Sequence, residues 1–134
     1  MSAFDWQARV YWEDTDAGGV VYYANYLRFL ERARTEWLRD RGCSQSLMQA
    51  ETGLVFAVVS LSAQFHRAAK LDDLLFIRCE PAVDGGASLR FAQSIRRNGA
   101  DGELLLEAEV RVACVTADGF QPRRLPPALR KELT

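Results

Sequence analysis

Residues 9–42 read RVYWEDTDAGGVVYYANYLRFLERARTEWLRDRG and pass from a strand pattern, through a loop with two glycines, into a helix pattern. On the N-terminal side Phe4, Trp6, Ala8, Val10 and Trp12 alternate with Asp5, Gln7, Arg9 and Tyr11. A period of two places them on one face of a half-buried strand over Phe4–Trp12. Glu13–Asn25 reads as a loop in which Gly18 and Gly19 allow positive φ or close approach of a ligand to the backbone. From Ala24 to Arg41 the residues Leu27, Leu30, Ala33, Trp37 and Leu38 recur at spacings of three and four, with Arg32 and Glu36 paired on the polar face. Gly42 is placed to end this helix. At ~1.5 Å per residue the helix is roughly 27 Å long, enough to lie along a whole sheet. It is the only long helix the pattern predicts.

Four strand patterns follow. Leu54–His66 places Val55, Ala57, Val59, Leu61, Ala63 and Phe65 on one face. Leu74–Val83 and Ser88–Arg97 also alternate, and Asp84, Gly85 and Gly86 between them read as a hairpin turn. After a turn at Asn98–Gly102, Glu103–Thr116 sets Leu104, Leu106, Ala108, Val110, Val112 and Cys114 against Glu107, Glu109 and Arg111. Pro122, Pro126 and Pro127 read as the end of regular structure. The order β-α-β-β-β-β is α+β, a five-stranded antiparallel sheet wrapped around one helix, which is the hotdog arrangement.

Composition agrees with a single domain over residues 1–134. The mass is 15.1 kDa, with 49% hydrophobic and 26% charged residues, enough to build a core without staples. Seventeen basic against eighteen acidic residues leave a formal charge of -1, so no global field attracts nucleic acid. Cys43, Cys79 and Cys114 are odd in number and lack CxxC spacing, which argues against a disulfide framework or a zinc site. The longest clean apolar run, Leu54–Val59, is far below the ~20 residues that span a bilayer. With no secretory pattern at the N-terminus, the reading is cytoplasmic.

The segment Arg9–Leu27, running into Glu31–Arg39, resembles the signature of the hotdog acyl-CoA thioesterases of the 4-hydroxybenzoyl-CoA thioesterase type, and most of all the Tol-Pal system-associated subgroup. The likeness continues through Phe56-Ala-Val-Val, Ala69-Lys-Leu-Asp-Asp-Leu-Leu, Glu107-Ala-Glu-Val and Pro122-Arg-Arg-Leu-Pro. By motif position the resemblance implies that Asp16 is the catalytic carboxylate and that the Tyr23 backbone N–H stabilises the oxyanion. Ionised at neutral pH, Asp16 would deprotonate water or attack the acyl carbon to give an anhydride, and the residues leave both routes open. Free N–H groups in a first helical turn, where the dipole is positive, suit the oxyanion role. The resemblance also implies an acyl pocket shaped by Tyr22, Tyr23 and Tyr26. It implies a pantetheine channel lined by Val58, Val59, Ser60 and Leu61 of a neighbouring chain. The expected assembly is therefore a homodimer, extended to a homotetramer, with coenzyme A as part of the substrate and no metal or other cofactor. Acyl carrier protein is the alternative carrier, and a non-catalytic acyl-CoA or acyl-carrier-protein binding module is the alternative function.

One departure stands out. The Tol-Pal subgroup usually has histidine where this chain has Tyr23, so any histidine side-chain role is lost while a backbone donor survives. His66, the single histidine, reads as structural or exposed. Asp14 and Glu13 read as structural or solvated. The EF-hand alternative fails because the twelfth position from Asp14 is Asn25. The pairs Arg96–Arg97 and Arg123–Arg124 read as solvated faces, with coenzyme A phosphates as the alternative partner.

Overall fold

In the computed structural model, which describes residues 3–133, the first strand pattern forms β1 (Phe4–Arg9). Met1, Ser2 and Thr134 of the expected 1–134 span lie outside the described residues. β1 ends before Trp12 because its partner strand begins at Leu74, opposite Arg9. Trp12–Asp14 instead form a 3-10 turn on which Trp12 is 80% exposed.

The long helix is α1 (Asn25–Asp40), which buries Tyr26, Phe29, Leu30, Ala33, Arg34, Trp37 and Leu38. Leu27, expected in the apolar stripe, is instead 37% exposed on its flank. The expected Arg32–Glu36 pair is also absent: Glu36 pairs with Arg39, and Arg32 lies over the Phe29 ring. Gly42 ends the helix as expected, at φ 78. Its N–H donates to the Arg39 carbonyl (2.9 Å) and the Cys43 N–H to the Leu38 carbonyl (2.8 Å), which satisfies two orphan carbonyls in a Schellman motif.

Two short helices escaped the pattern. α2 (Gln45–Thr52) follows the Ser44 cap and buries only Met48, too little to leave a periodic stripe. α3 (Pro127–Leu133) corrects the reading that the prolines end regular structure. Pro127 stands at the first helical position, where its missing N–H has no intrahelical acceptor in any case.

The remaining strands are β2 (Leu54–Phe65), β3 (Leu74–Val83), β4 (Ser88–Arg97) and β5 (Leu104–Thr116). All pairs are antiparallel in the order β1-β3-β4-β5-β2, so β1 and β2 are the edges. The Asp84–Gly86 hairpin joins β3 to β4, and Asp84 N–H closes it on the Ser88 carbonyl at 2.8 Å. Leu75, Ile77 and Cys79 of β3, Leu89, Phe91 and Ile95 of β4, and Leu106, Val110 and Cys114 of β5 pack under α1. Trp37 meets Phe91 edge to face at 5.5 Å. Leu104 is only half-buried, while Leu105 beside it is fully buried where the β4–β5 register slips between Ile95 and Arg96.

β2 departs most from its pattern. The register slips between Val58, opposite Val112, and Ser60, opposite Arg111, so Val59 is an extra residue in a bulge. A bulge inverts the alternation. Leu61, Ala63 and Phe65 face inward as expected, opposite Val110, Ala108 and Leu106. Before the bulge the inward residues are Leu54, Phe56 and Val58, not Val55, Ala57 and Val59.

Candidate active site

Asp14 and Asp16, two residues apart, are used in opposite ways. Asp14 is buried: its Oδ2 accepts from the Tyr11 N–H at 2.8 Å and its Oδ1 from Asn25 Nδ2 at 2.9 Å. The Tyr22 N–H donates to the Asp14 carbonyl at 3.0 Å. Asp14 therefore ties the 3-10 turn to the first residue of α1, the structural role expected of it, while Glu13 is exposed. Asn25 had no assigned role in the sequence reading, because its partner becomes visible only once the loop closes.

Between these anchors the chain makes a tight hairpin. Thr15 and Val21 form an antiparallel bridge, the Asp16 N–H donates to the Val20 carbonyl at 2.9 Å, and the Gly19 N–H returns to the Asp16 carbonyl at 3.0 Å. Gly19 takes φ 78, the left-handed region where glycine is strain-free. At the tip the Asp16 carboxylate is exposed, and its Oδ1 accepts from the Gly18 N–H at 2.8 Å. Its Oδ2 accepts nothing from the described residues and faces solvent.

Tyr22 and Tyr23 lie at the foot of α1, exposed, with ring centroids 4.9 Å apart. The neighbouring Tyr23 phenol raises the Tyr22 hydroxyl above its usual range, and the Asp16 charge adds to the effect. The Tyr23 N–H meets no acceptor among the described residues, so an exposed carboxylate and a free backbone donor share one end of the helix. Tyr26 is placed differently from the pocket-lining role expected. It is 3% exposed, and its hydroxyl accepts from the Ala69 N–H at 2.9 Å. Burial raises that hydroxyl's pKa. The Ala69 carbonyl in turn accepts from the Val21 N–H at 2.8 Å, and Val20 bridges to Lys70. Tyr26 thus holds the 66–73 loop against the base of the Asp16 hairpin.

Val58, Val59, Ser60 and Leu61 are exposed on edge strand β2, but a single chain does not bring them to Asp16. It is Phe65 whose ring meets Tyr26, at 5.5 Å, and Leu61 lies roughly 13 Å further along the strand. His66 is exposed and bonded to Glu107 Oε2 at 3.1 Å. Arg97 is held by Asp73, by Glu103 and by the Ala68 carbonyl, and Arg96 by the Gly102 carbonyl. Among the described residues no group of three or more His, Cys, Asp or Glu side chains is arranged to hold a metal ion.

A five-stranded antiparallel sheet rolled on one helix, presenting a carboxylate at the helix start, defines a hotdog-fold thioesterase. The chain belongs to the thioesterase-like superfamily, whose family model matches residues 10–133. It is 46% identical over 129 residues to the acyl-CoA thioester hydrolase YbgC of Escherichia coli O6:H1, covering 96% of this chain and 94% of that one. The acyl-CoA thioesterase YbgC of Haemophilus influenzae is 45% identical over 125 residues, covering 93% and 90%. Among solved structures, an aspartate-to-asparagine variant of a 4-hydroxybenzoyl-CoA thioesterase in complex with 4-hydroxybenzoyl-CoA superposes with a TM-score of 0.87 at 25% identity, covering 98% and 99%. No helix of the described residues is long and apolar enough to cross a membrane.

Proposed function

We propose that the chain hydrolyses acyl-CoA thioesters to the free acid and coenzyme A, with Asp16 as the catalytic carboxylate and the Tyr23 N–H as oxyanion donor. The observation that carries this reading is the exposed Asp16 carboxylate at the foot of α1, in a chain similar along nearly its whole length to acyl-CoA thioester hydrolases. The Gly18 N–H fixes Oδ1 and leaves Oδ2 free to act. Oδ2 either takes a proton from water as its oxygen bonds to the acyl carbon, or itself bonds to that carbon. In both routes the C–S bond breaks and the thiolate of coenzyme A leaves. In the first the attacking water supplies the second oxygen of the acid; in the second Oδ2 supplies it and water, opening the anhydride at the aspartyl carbon, restores the carboxylate. The negative charge that develops on the carbonyl oxygen meets the Tyr23 N–H, and one such donor is typically worth about 10²- to 10³-fold in rate. No metal or prosthetic group is needed for these steps.

The working form we propose is a homodimer, built further into a tetramer. Val58, Leu61 and Phe65 face inward from β2 yet are 53%, 40% and 51% exposed, because α1 does not reach over the edge strand. An apolar strip on an unpaired edge is covered most simply by the same strip of a second copy. That contact would let one chain supply Val58–Leu61 to its partner's Asp16, as a pantetheine channel. Three free thiols suit a reducing compartment, and we place the enzyme in the cytoplasm. There it would act on coenzyme A thioesters, with acyl carrier protein as the second candidate carrier, in a Tol-Pal-associated setting.

The test is release of free thiol from short, long and aromatic acyl-CoAs by the wild type and by Asp16→Asn, with folding and assembly checked for both. Activity that falls by about 10² or more in a folded variant is expected. Equal acyl-CoA binding by both proteins with no thiol released by either would replace the enzyme with a binding module.

A further inference from the structure

Arg34 lies on the buried side of α1 at 8% exposure, yet it forms no contact ion pair among the described residues. Of its five donors, one is used within the chain: Nη1 donates to Gln93 Oε1 at 3.0 Å. Gln93 is itself anchored, since its Nε2 donates to the Leu30 carbonyl at 3.1 Å and also contacts Cys79 Sγ. This fork fixes the guanidinium at the level of Leu30, one turn back along the helix, the direction in which helical side chains lean. Burial lowers the Arg34 pKa, and Cys79, pushed up to about 12, remains a neutral thiol beside it. A buried cation whose one acidic neighbour, the exposed Glu31, makes no contact ion pair with it is an incomplete arrangement.

The guanidinium lines a cavity of about 100 Å³ between α1 and the β4-β5-β2 part of the sheet. Thr35 and Gln45 add neutral polar groups, and Phe56, Val58 and Phe91 supply an apolar floor. Glu31 is the one carboxylate on its wall; it is exposed and takes a bond from the Thr35 hydroxyl at 3.4 Å. Toward the helix start the same flank carries Leu27, and the facing strand carries Leu61 and then Phe65, beside Tyr26. By register these side chains continue the apolar wall of the cavity toward the foot of α1, where Asp16 and the Tyr23 N–H stand, as a groove whose outer side the second copy's β2 would close in the proposed dimer.

Resting on the acyl-CoA reading above, we infer that this groove takes the acyl chain and that Arg34 selects acyl groups whose far end is a carboxylate. Tyr23 and Leu30 are seven residues apart, about 10 Å along the axis. With a hydrogen bond of ~3 Å at each end running partly across the axis, roughly 5–9 Å is left between the two end carbons, which suits an acyl backbone of about five to eight carbons. Adipyl-CoA is the probe, and hexanoyl-CoA, of equal length with a neutral end, is the control.

The wild type should show kcat/KM for adipyl-CoA about ten- to a hundred-fold above that for hexanoyl-CoA, the gain of one charge-assisted pair. In Arg34→Gln the ratio should fall to near one. Arg34→Lys, which keeps the charge and loses the fork, should fall between, and it serves if the glutamine variant does not fold. Glu31→Gln, which removes the one like charge on the wall, should raise the ratio. A wild-type ratio of one or less, or a ratio that survives in a folded Arg34 variant, overturns the inference and leaves the thioesterase reading intact. If the wild type hydrolyses neither thioester, thermal stabilisation by free adipate but not hexanoate upholds the site and its absence overturns the inference. The enzyme reading falls only if the long and aromatic acyl-CoAs also release no thiol.

Discussion

Replacing Asp14 and Asp16 separately by alanine should produce opposite phenotypes from neighbouring residues of the same type. In Asp14→Ala the Tyr11 N–H and Asn25 Nδ2 lose their acceptor, and both lie in buried or half-buried surroundings. An unsatisfied buried donor costs about 1–3 kcal/mol, so the two together give about 2–4 kcal/mol, with the part-buried N–H of the exposed Tyr11 at the low end. For a chain of this length that is roughly a 7–14 °C fall in Tm. Asp14→Asn should recover much of the loss, because the Asn25 amide can turn over so that its oxygen accepts from the new NH2, while the single oxygen of the new amide accepts from the Tyr11 N–H. Asp16→Ala removes a single exposed bond to the Gly18 N–H, worth about 0.5 kcal/mol, and should leave Tm nearly unchanged. Its acyl-CoA hydrolysis should fall by about 10² or more, whereas Asp14→Ala, assayed well below its own Tm, should retain more activity than Asp16→Ala. Thermal and denaturant unfolding at matched protein concentration, with thiol release on the same samples, measure all three variants. Equal stability of the two alanine variants would refute the division of labour, and full activity in Asp16→Ala would refute the chemistry.

The two hydrolytic routes separate in a single turnover in ¹⁸O-water with enzyme in excess: direct attack by water puts the label in the acid, whereas an anhydride opened at the aspartyl carbon leaves it on Asp16. Leu61→Asp places a charge on the uncovered strip of β2 and should give monomers in sedimentation velocity with loss of thioesterase activity; an unchanged dimer would show that β2 is not the contact. Gly102→Ala puts a Cβ 1.8 Å from the Arg97 carbonyl oxygen and should destabilise the β4–β5 turn by about 1–3 kcal/mol in urea unfolding. Burial pushes the Cys79 thiol up to about 12 from an ordinary value of 9.0, so the unfolded chain loses this proton first. Stability should therefore be level below about pH 9 and fall by up to about 1.4 kcal/mol per pH unit above it. Cys43, Cys114 and Tyr26 add to the fall in the same sense, and in Cys79→Ala the slope of denaturation midpoint against pH should be shallower.

Much of this molecule was legible from local pattern. Gly42 ends α1 where the apolar period stops, because a left-handed residue there needs no knowledge of the rest of the chain. The Asp84–Gly86 turn between two alternating runs has the same local cause. The β2 bulge was not legible: Leu54–Val59 is apolar at every position, so either phase reads as a buried face, and the pairing with β5 selects one. Tyr26 was legible as an aromatic near the loop, but its function depends on Ala69, 43 residues away. α3 was hidden because a proline reads alike as the end of one element and the start of another.

Residue order alone determined the succession of strands and helix and the loop that carries two aspartates, since periodicity and turn chemistry act over a few residues. Tertiary structure decided which aspartate is buried and which is free, because burial depends on Tyr11 and Asn25 closing over Asp14 and leaving Asp16 at the tip. It also decided that Arg34, one cation among the seventeen basic residues, stands in a cavity, since its neighbour Gln93 comes from a strand 59 residues on. Such contacts carry no local signal, because they form only when the sheet curls around the helix.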